Sequence, residues 1–343
     1  MNHKSSFAII GAGKVGCALG ILLKEQGYQP VGVASRSFVS ARRLAETLET
    51  TACKDVAEAA ELADLVFITT TDREIEAVAG SLARKGVCRQ GQIIIHTSGA
   101  LASDIMAPVR QQGASAVSMH PLQSFASVES AKENLPGSCF ALEGDEWALP
   151  KVIGVVDALQ GRYFVIKAED KSLYHAAAVV ASNYLVSLVH LSSTIYQKLG
   201  LDEAQAMDAL FPLIQGTLNN IAKSGPAAAL TGPVARGDGT TLKGHLKALQ
   251  KMDWRVSEAY RSLGLYTVGV AMENGSITTN EGASLSKLFL EEGNYEQAGN
   301  YCRFSAHETG RTAHSHVNSL RLSNGYTGRR FRYRRYPGGG LPR

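Results

Sequence analysis

The chain has little cysteine, and what it has is scattered. Cys17, Cys53, Cys88, Cys139 and Cys302 form no CxxC pair and no Cys/His cluster. This excludes a zinc ribbon or a disulfide framework, and leaves reduced thiols of a cytoplasmic protein, with no metal site, as the expectation. Long apolar runs are lacking too. The stretch after His3 and Lys4 is broken by Gly11, Gly13 and Lys14, so it does not form a signal peptide, and no segment is expected to reach the roughly 18 apolar residues of a membrane span. There is no nucleophile elbow and no pair of carboxylates suited to acid/base work. Positive charge is scarce outside one region. The formal net charge is +4, yet residues 301–343 hold nine Arg, no Lys and one Glu, so the preceding body is net acidic and no nucleic-acid partner is expected.

What is present is organised around residues 6–20. Residues 7–10 are continuously apolar, as a strand covered on both faces requires, whereas Val15, Ala18, Leu19 and Leu22 recur at helical spacing. Between them lies Gly11-Ala12-Gly13-Lys14-Val15-Gly16, a G-x-G-x-x-G turn. Gly11 permits the turn, Gly13 lets a pyrophosphate approach the backbone, and Gly16 lets the helix pack on the strand. A second strand over 30–34 ends in Ser35-Arg36-Ser37, about 20 positions beyond the fingerprint, where an NAD-preferring protein places an acid. Here Arg36 can pair with a 2′-phosphate while Ser35 and Ser37 donate hydrogen bonds, which predicts NADP as the cofactor.

Downstream, strands and helices alternate. Helices are expected over 39–48, 55–62, 74–84, 103–112 and 146–159, and strands near 51–53, 63–70, 93–95, 116–119, 138–142 and 163–166. The strand over 63–70 ends in Thr69-Thr70-Thr71-Asp72, at the sheet edge where cofactors lie. Asp72 can equally serve as a helix cap. The next two strands end in His96-Thr97-Ser98 and His120-Pro121, marking a polar pocket at the same edge. From 169 the pattern turns helical, with helices over 171–198, 202–223, 241–251, 254–272 and 281–291. The first is uncharged from 176 to 192, as suits burial among helices or in a dimer interface.

This predicts an α/β fold: a Rossmann doubly wound, mostly parallel sheet over 1–167, followed by an all-helical domain over 168–295. Residues 296–343 lack helical periodicity and cannot bury enough apolar surface to offset their ordering entropy. That segment is a disordered basic arm or a frame-shifted end, the Arg-only basicity favouring the second.

The candidate catalytic groups are His120, His175, Lys171, Asn183 and Ser98, with His96 also weighed. On one continuous helix, Lys171, His175 and Asn183 share a face and offer a proton donor and a polar hold on a substrate oxygen. Each has a structural alternative: Lys171 as a solvated surface residue, His175 as a core histidine. An unpaired buried Asn183 would cost about 1 to 3 kcal/mol, which favours a functional role for it. His190 and His245 look structural.

The motifs FAIIGAGKVGCALG, VGVASRS, IIIHTSGAL, SMHPLQSF, YHAAAVVASNYLVSL and TGPVARGD, in this order, resemble the bacterial family of Rossmann-like proteins with a C-terminal helical domain of unknown function. More remotely, the chain is similar to pyrroline-5-carboxylate reductase, ketopantoate reductase and prephenate dehydrogenase. The resemblance implies NADP on Gly11, Gly13, Gly16, Ser35 and Arg36, a substrate cleft between the domains and a homodimer through the helical one. In prephenate dehydrogenases a His-Pro pair after a late strand contacts substrate, and His120-Pro121 sits similarly. In hydroxyacid relatives a Lys-x-x-x-Asn faces the nicotinamide; here His175 takes the place of that Asn after Lys171. The resulting expectation is an NADP(H)-dependent oxidoreductase for a small polar carbonyl, imine or hydroxy compound. The alternative is a non-catalytic NADP-binding regulatory or redox-sensing module, since no complete catalytic set is present; a weaker one is a structural dimer with a vestigial cleft.

Overall fold

The computed structural model describes residues 4–290, so both readings of the tail concern residues outside the described ones. One compact unit runs to Leu185 and a second begins at Val186.

The first unit is built on an eight-stranded sheet of order β3-β2-β1-β4-β5-β6-β7-β8. Its strands are β1 (Ser6–Ile10), β2 (Gln29–Ala34), β3 (Ala52–Cys53), β4 (Leu65–Ile68), β5 (Ile93–His96), β6 (Ser115–Pro121), β7 (Cys139–Gly144) and β8 (Arg162–Val165). All neighbours are parallel except β6 and β7, which run antiparallel. Both faces of the central strands β1, β4 and β5 are covered, which is why these read as unbroken apolar runs. Phe7, Ile9, Phe67, Ile95, Val117 and Met119 fill one side with Leu19, Leu23 and Leu44. Ala8, Ile10, Val66, Ile68 and Ile94 fill the other with Ile75, Leu82 and Met106. The strand order reverses direction between β1 and β4, and ligands of such sheets bind outside the strands' carboxyl ends at that point.

The helices follow the expected pattern: α1 (Lys14–Glu25), α2 (Phe38–Leu48), α3 (Val56–Ala60), α4 (Asp72–Arg84), α5 (Ala107–Gln111), α6 (Val128–Asn134), α7 (Leu149–Ala158) and α8 (Lys171–Ala181). Three expectations are corrected. A 3-10 turn, Ser103–Met106, precedes α5 and the helix is correspondingly short, because Pro108 sits at its start without an N–H. The unforeseen α6 is set by a capping box in which Ser127 and Ser130 exchange bonds. The helix foreseen over 171–198 is interrupted at Ser182 (φ −115°, ψ −68°), which separates α8 from α9 (Asn183–Lys198).

The second unit holds the rest of α9 with α10 (Glu203–Ser224), α11 (Gly239–Leu249), α12 (Trp254–Glu273) and α13 (Thr279–Leu290). Leu242, Leu246, Val268, Ala271, Leu285 and Phe289 form its core. Gly264 lets the Phe289 ring lie against α12, since a Cβ there would come within 2.4 Å of that ring. The TGPVARGD motif ends in a cap: Asp238 accepts from the Thr241 N–H and hydroxyl. A further correction concerns hydropathy. Ala168–Lys198 is long and apolar enough, by length and composition alone, to cross a membrane. Small and hydroxyl residues diluting its apolar ones hide this in a search for unbroken runs.

Candidate functional site

At the carboxyl end of β1 the backbone turns at Gly11 (φ +111°), a conformation that favours glycine. A Cβ there would also meet the Thr69 and Thr70 backbone at 2.8 Å. Thr69 donates its hydroxyl to the Gly11 carbonyl at 2.7 Å, so this side chain secures the turn. A Cβ on Gly16 would lie 2.1 Å from that same carbonyl, whereas a Cβ on Gly13 would have no atom within 4 Å. Gly16 is thus needed for packing, and Gly13 keeps open the space before α1. No side chain caps α1 and no acid stands in its first turn, so its leading N–H groups, from Lys14 and Val15 onward, remain available for an anion. Ala12 is half-buried beside them. These residues fit a dinucleotide pyrophosphate.

At the end of β2, Ser35 is half-buried, and Arg36 and Ser37 are exposed. Ser37 accepts from the Ser40 N–H and caps α2, which engages its hydroxyl in the fold. Phe38, partly exposed, has the Arg42 guanidinium and the Lys54 ammonium within 6.0 Å of its ring centre. Three cations therefore stand around the ends of β2 and β3. At the end of β4, Thr70 Oγ1 is buried and unbonded, and Thr71 is exposed just before α4. Asp72 is not a cap; its carboxylate accepts from the Ser98 hydroxyl at 2.8 Å.

The ends of β5 and β6 lie side by side, His96 opposite Ser118, and α8 supplies what lies across them. Lys171 is 1% exposed. Its ammonium donates to the Ser98 carbonyl at 2.9 Å and to Ser118 Oγ at 2.7 Å. The nearest carboxylates are engaged elsewhere, Glu143 by Ser103 and Asp72 by Ser98. Burial lowers the Lys171 pKa to about 8, with Glu143 and Asp72 opposing the fall. Burial, then the charge of Lys171, then His175, brings His120 down to about 4. His96, fully buried, falls to about 3 for the first two reasons, and its Nδ1 accepts from the Ser98 N–H. Both imidazoles are neutral at pH 7. His120 Nδ1 lies 2.6 Å from the Tyr174 hydroxyl, whose own pKa burial raises to about 12.

The structure thus gathers Ser98, His120, Lys171 and His175 at one edge. The Ser98 hydroxyl is fully engaged, donating to Asp72 and accepting from the Ala100 and Leu101 N–H groups. Asn183 is exposed and opens α9. The break at Ser182 removes both the single helical face that joined it to Lys171 and the burial argued for it. Sequence reasoning missed Tyr174, Ser118 and Gly99; Tyr174, three residues after Lys171 on α8, was the one with a visible signal. Among the described residues, no three His, Cys, Asp or Glu side chains are placed to hold a metal ion.

The sheet order, the uncapped α1 behind an open glycine and the polar edge on β5, β6 and α8 define a Rossmann-like protein with a helical C-terminal region. Residues 2–121 match a Rossmann-like domain and residues 138–267 match the domain of unknown function DUF2520. Protein TM1727 from Thermotoga maritima is 32% identical, with a TM-score of 0.61 over 78% of this chain and 98% of that one. The chain belongs to the family that joins these two domains, the one its six motifs resemble. A candidate NADP oxidoreductase from Bacteroides fragilis is 23% identical, with a TM-score of 0.62 over 76% of this chain and 96% of that one. An imine reductase from Pseudomonas sp. is 18% identical, with a TM-score of 0.56 over 80% of this chain and 100% of that one. At these identities the last two show the fold. No curated protein matches the chain.

Proposed function

We propose that this protein is an NADP(H)-dependent oxidoreductase acting on a small polar carbonyl, imine or hydroxy compound, in the cytoplasm and as a homodimer through its helical region. One observation carries the reading: a fully buried ammonium, bonded to no carboxylate, at the carboxyl edge of the sheet from which the open glycine turn also springs. Burying an unpaired charge is costly, and such groups cluster at functional sites. The names of the Bacteroides fragilis and Pseudomonas proteins, an NADP oxidoreductase and an imine reductase, support the same class of chemistry.

Gly11 to Gly16 and the N–H groups of α1 would hold the pyrophosphate, and Ser35 and Arg36 the 2′-phosphate. When bound, the nicotinamide exchanges a hydride with a substrate carbon. Lys171 Nζ uses two of its protons on Ser98 and Ser118, and with a pKa near 8 it can give or take the third around neutral pH. Ser98, locked by Asp72, holds the loop that accepts from Lys171. His120 and His175 orient the substrate.

Titration of the full chain with NADPH and NADH, followed by loss of nicotinamide absorbance against 2-oxo acids, imines and aldehydes, tests the proposal. NADPH is expected to bind more tightly than NADH, and Arg36→Ala to abolish the difference. Lys171→Met should lower turnover by about 10²-fold or more with NADPH affinity retained. Equal affinity for both nucleotides would remove the NADP assignment. Tight binding without turnover on any of these compounds would favour the regulatory module.

A further inference from the structure

Beside the buried ammonium stands a buried carboxylate that the chemistry above leaves unused. Among the described residues, Lys171 is the only buried lysine and Glu143, 5% exposed, the only buried acid. The two meet across one serine. In the antiparallel pairing of β6 and β7, Glu143 lies directly opposite Ser118, and side chains so placed share a face with their Cβ atoms roughly 5 Å apart. Ser118 Oγ is the atom that accepts from the Lys171 ammonium at 2.7 Å. Glu143 itself is bonded to Ser103 and not to Lys171.

What holds it off is local. The Arg110 guanidinium donates to Ser103 Oγ at 2.6 Å, so the single hydroxyl proton of Ser103 is left for Glu143 Oε1, 2.7 Å away. The Ser103 N–H donates to Oε2, also at 2.7 Å. Arg110 is fixed in turn by Asp145 and Asp104. Both oxygens of Glu143 are thus engaged as acceptors, which suits a carboxylate and keeps it from closing on the ammonium. Closure would occupy the third Lys171 proton, the one free for substrate. At this remove the charge acts through space alone.

Asp72, the other carboxylate near the ammonium, belongs to an exposed residue, where solvent screens it. The remaining ionisable groups around Lys171 are His96 on β5, His120 on β6, and Tyr174 and His175 on α8. The first two are neutral at pH 7, and the Tyr174 ring centre is 5.9 Å from the ammonium. Of the two charges that oppose the effect of burial on Lys171, Glu143 is the larger.

We propose that Glu143 is the counter-ion of Lys171 and the positioning residue for its proton, its charge setting how firmly the ammonium holds what it gives to substrate. The acid role of Lys171 rests on the oxidoreductase reading given above; the pairing of the two buried charges does not. The proton passes between Lys171 Nζ and the substrate, and Glu143 neither gives nor takes one.

NMR titration of the full chain, labelled with 13C at lysine Cε and glutamate Cδ, reads both groups from about pH 6 to about pH 10, with Lys171→Met assigning the lysine signal. In the wild type the Glu143 Cδ shift is expected to step where Lys171 titrates, and to lose that step in Lys171→Met. Glu143→Gln should move the Lys171 midpoint about one pH unit to acid, because loss of a nearby opposite charge favours the neutral amine. Glu143→Asp, which keeps the charge, should restore most of it. In reduction, the alkaline fall of kcat should move with the midpoint and begin at lower pH in Glu143→Gln. A midpoint unchanged in Glu143→Gln, or moved further by Asp72→Asn, overturns the proposal. So does a wild-type Glu143 signal without the step, a result that needs no substitution at Glu143 and holds even if Glu143→Gln does not fold. If the midpoint moves as expected while no oxo compound or imine is turned over, the oxidoreductase reading falls and the pairing of Lys171 with Glu143 stands.

Discussion

Gly13 and Gly16 are three residues apart in one motif and perform separable tasks. Gly16→Ala drives a methyl into the Gly11 carbonyl and the Thr69 hydroxyl, and should cost about 1 to 3 kcal/mol of stability, as overpacking does. Gly13→Ala has open space around it, so its melting temperature should stay near wild type while NADPH affinity drops. Thermal melts paired with fluorescence titration separate the two; a Gly13→Ala protein that binds NADPH normally would deny the turn its role. The buried histidines make a second prediction. His96 and His120 ionise in the folded protein only near pH 3 and 4, against about 6.5 unfolded. As pH falls below 6.5 the unfolded chain takes up these protons first. Stability should therefore fall between pH 6.5 and 4, by at most about 1.4 kcal/mol per pH unit for each ring. Urea denaturation across that window checks it, and a flat profile would mean that the rings are not neutral in the fold. Much of the glycine turn was legible from spacing alone. The burial of Lys171 was not, because it depends on Ser98 and Ser118, 73 and 53 residues away.

At the scale of elements, patterning named the central strands well because β1, β4 and β5 are covered on both faces, while ends and breaks were less visible. β6 continues through His120 and Pro121 because β7 pairs with it antiparallel as far as Phe140. No local signal announced that partner. The division of α8 from α9 was hidden for a similar reason, since the apolar period runs through Ser182 without a Gly or Pro. Capping, by contrast, is local. Ser37 accepts the Ser40 N–H, so Ser37→Ala should cost about 1 kcal/mol of stability. Ser35→Ala should leave stability alone and weaken NADPH relative to NADH. Equal behaviour of the two variants would merge the roles assigned to these serines.

For the whole molecule, the change in period near residue 169 was readable, yet the first compact unit runs on to Leu185 rather than ending at 167, because α8 is tied to the sheet edge through Lys171. How the helical surface is covered was not, since that depends on what lies beyond one chain. Leu173 on α8 and Tyr184 on α9 are 73% and 56% exposed; in the second unit Val186, Phe211 and Leu213 are 69%, 59% and 66% exposed. Exposed apolar side chains of this kind support the proposed homodimer. The full chain is expected to sediment as a dimer, and Phe211→Glu with Leu213→Glu to sediment as a monomer. A monomeric wild type would refute the homodimer.

Every residue given a chemical task in the first unit lies toward or beyond the carboxyl end of a strand, or on α8. The turns at the other end of the same strands carry none. Gly91, just before β5, is exposed, has a φ of +81° and nothing within 4 Å of where a Cβ would stand. The chain can therefore be lengthened there, by a tag or a labelling peptide, at a distance from the chemistry set by the length of β5.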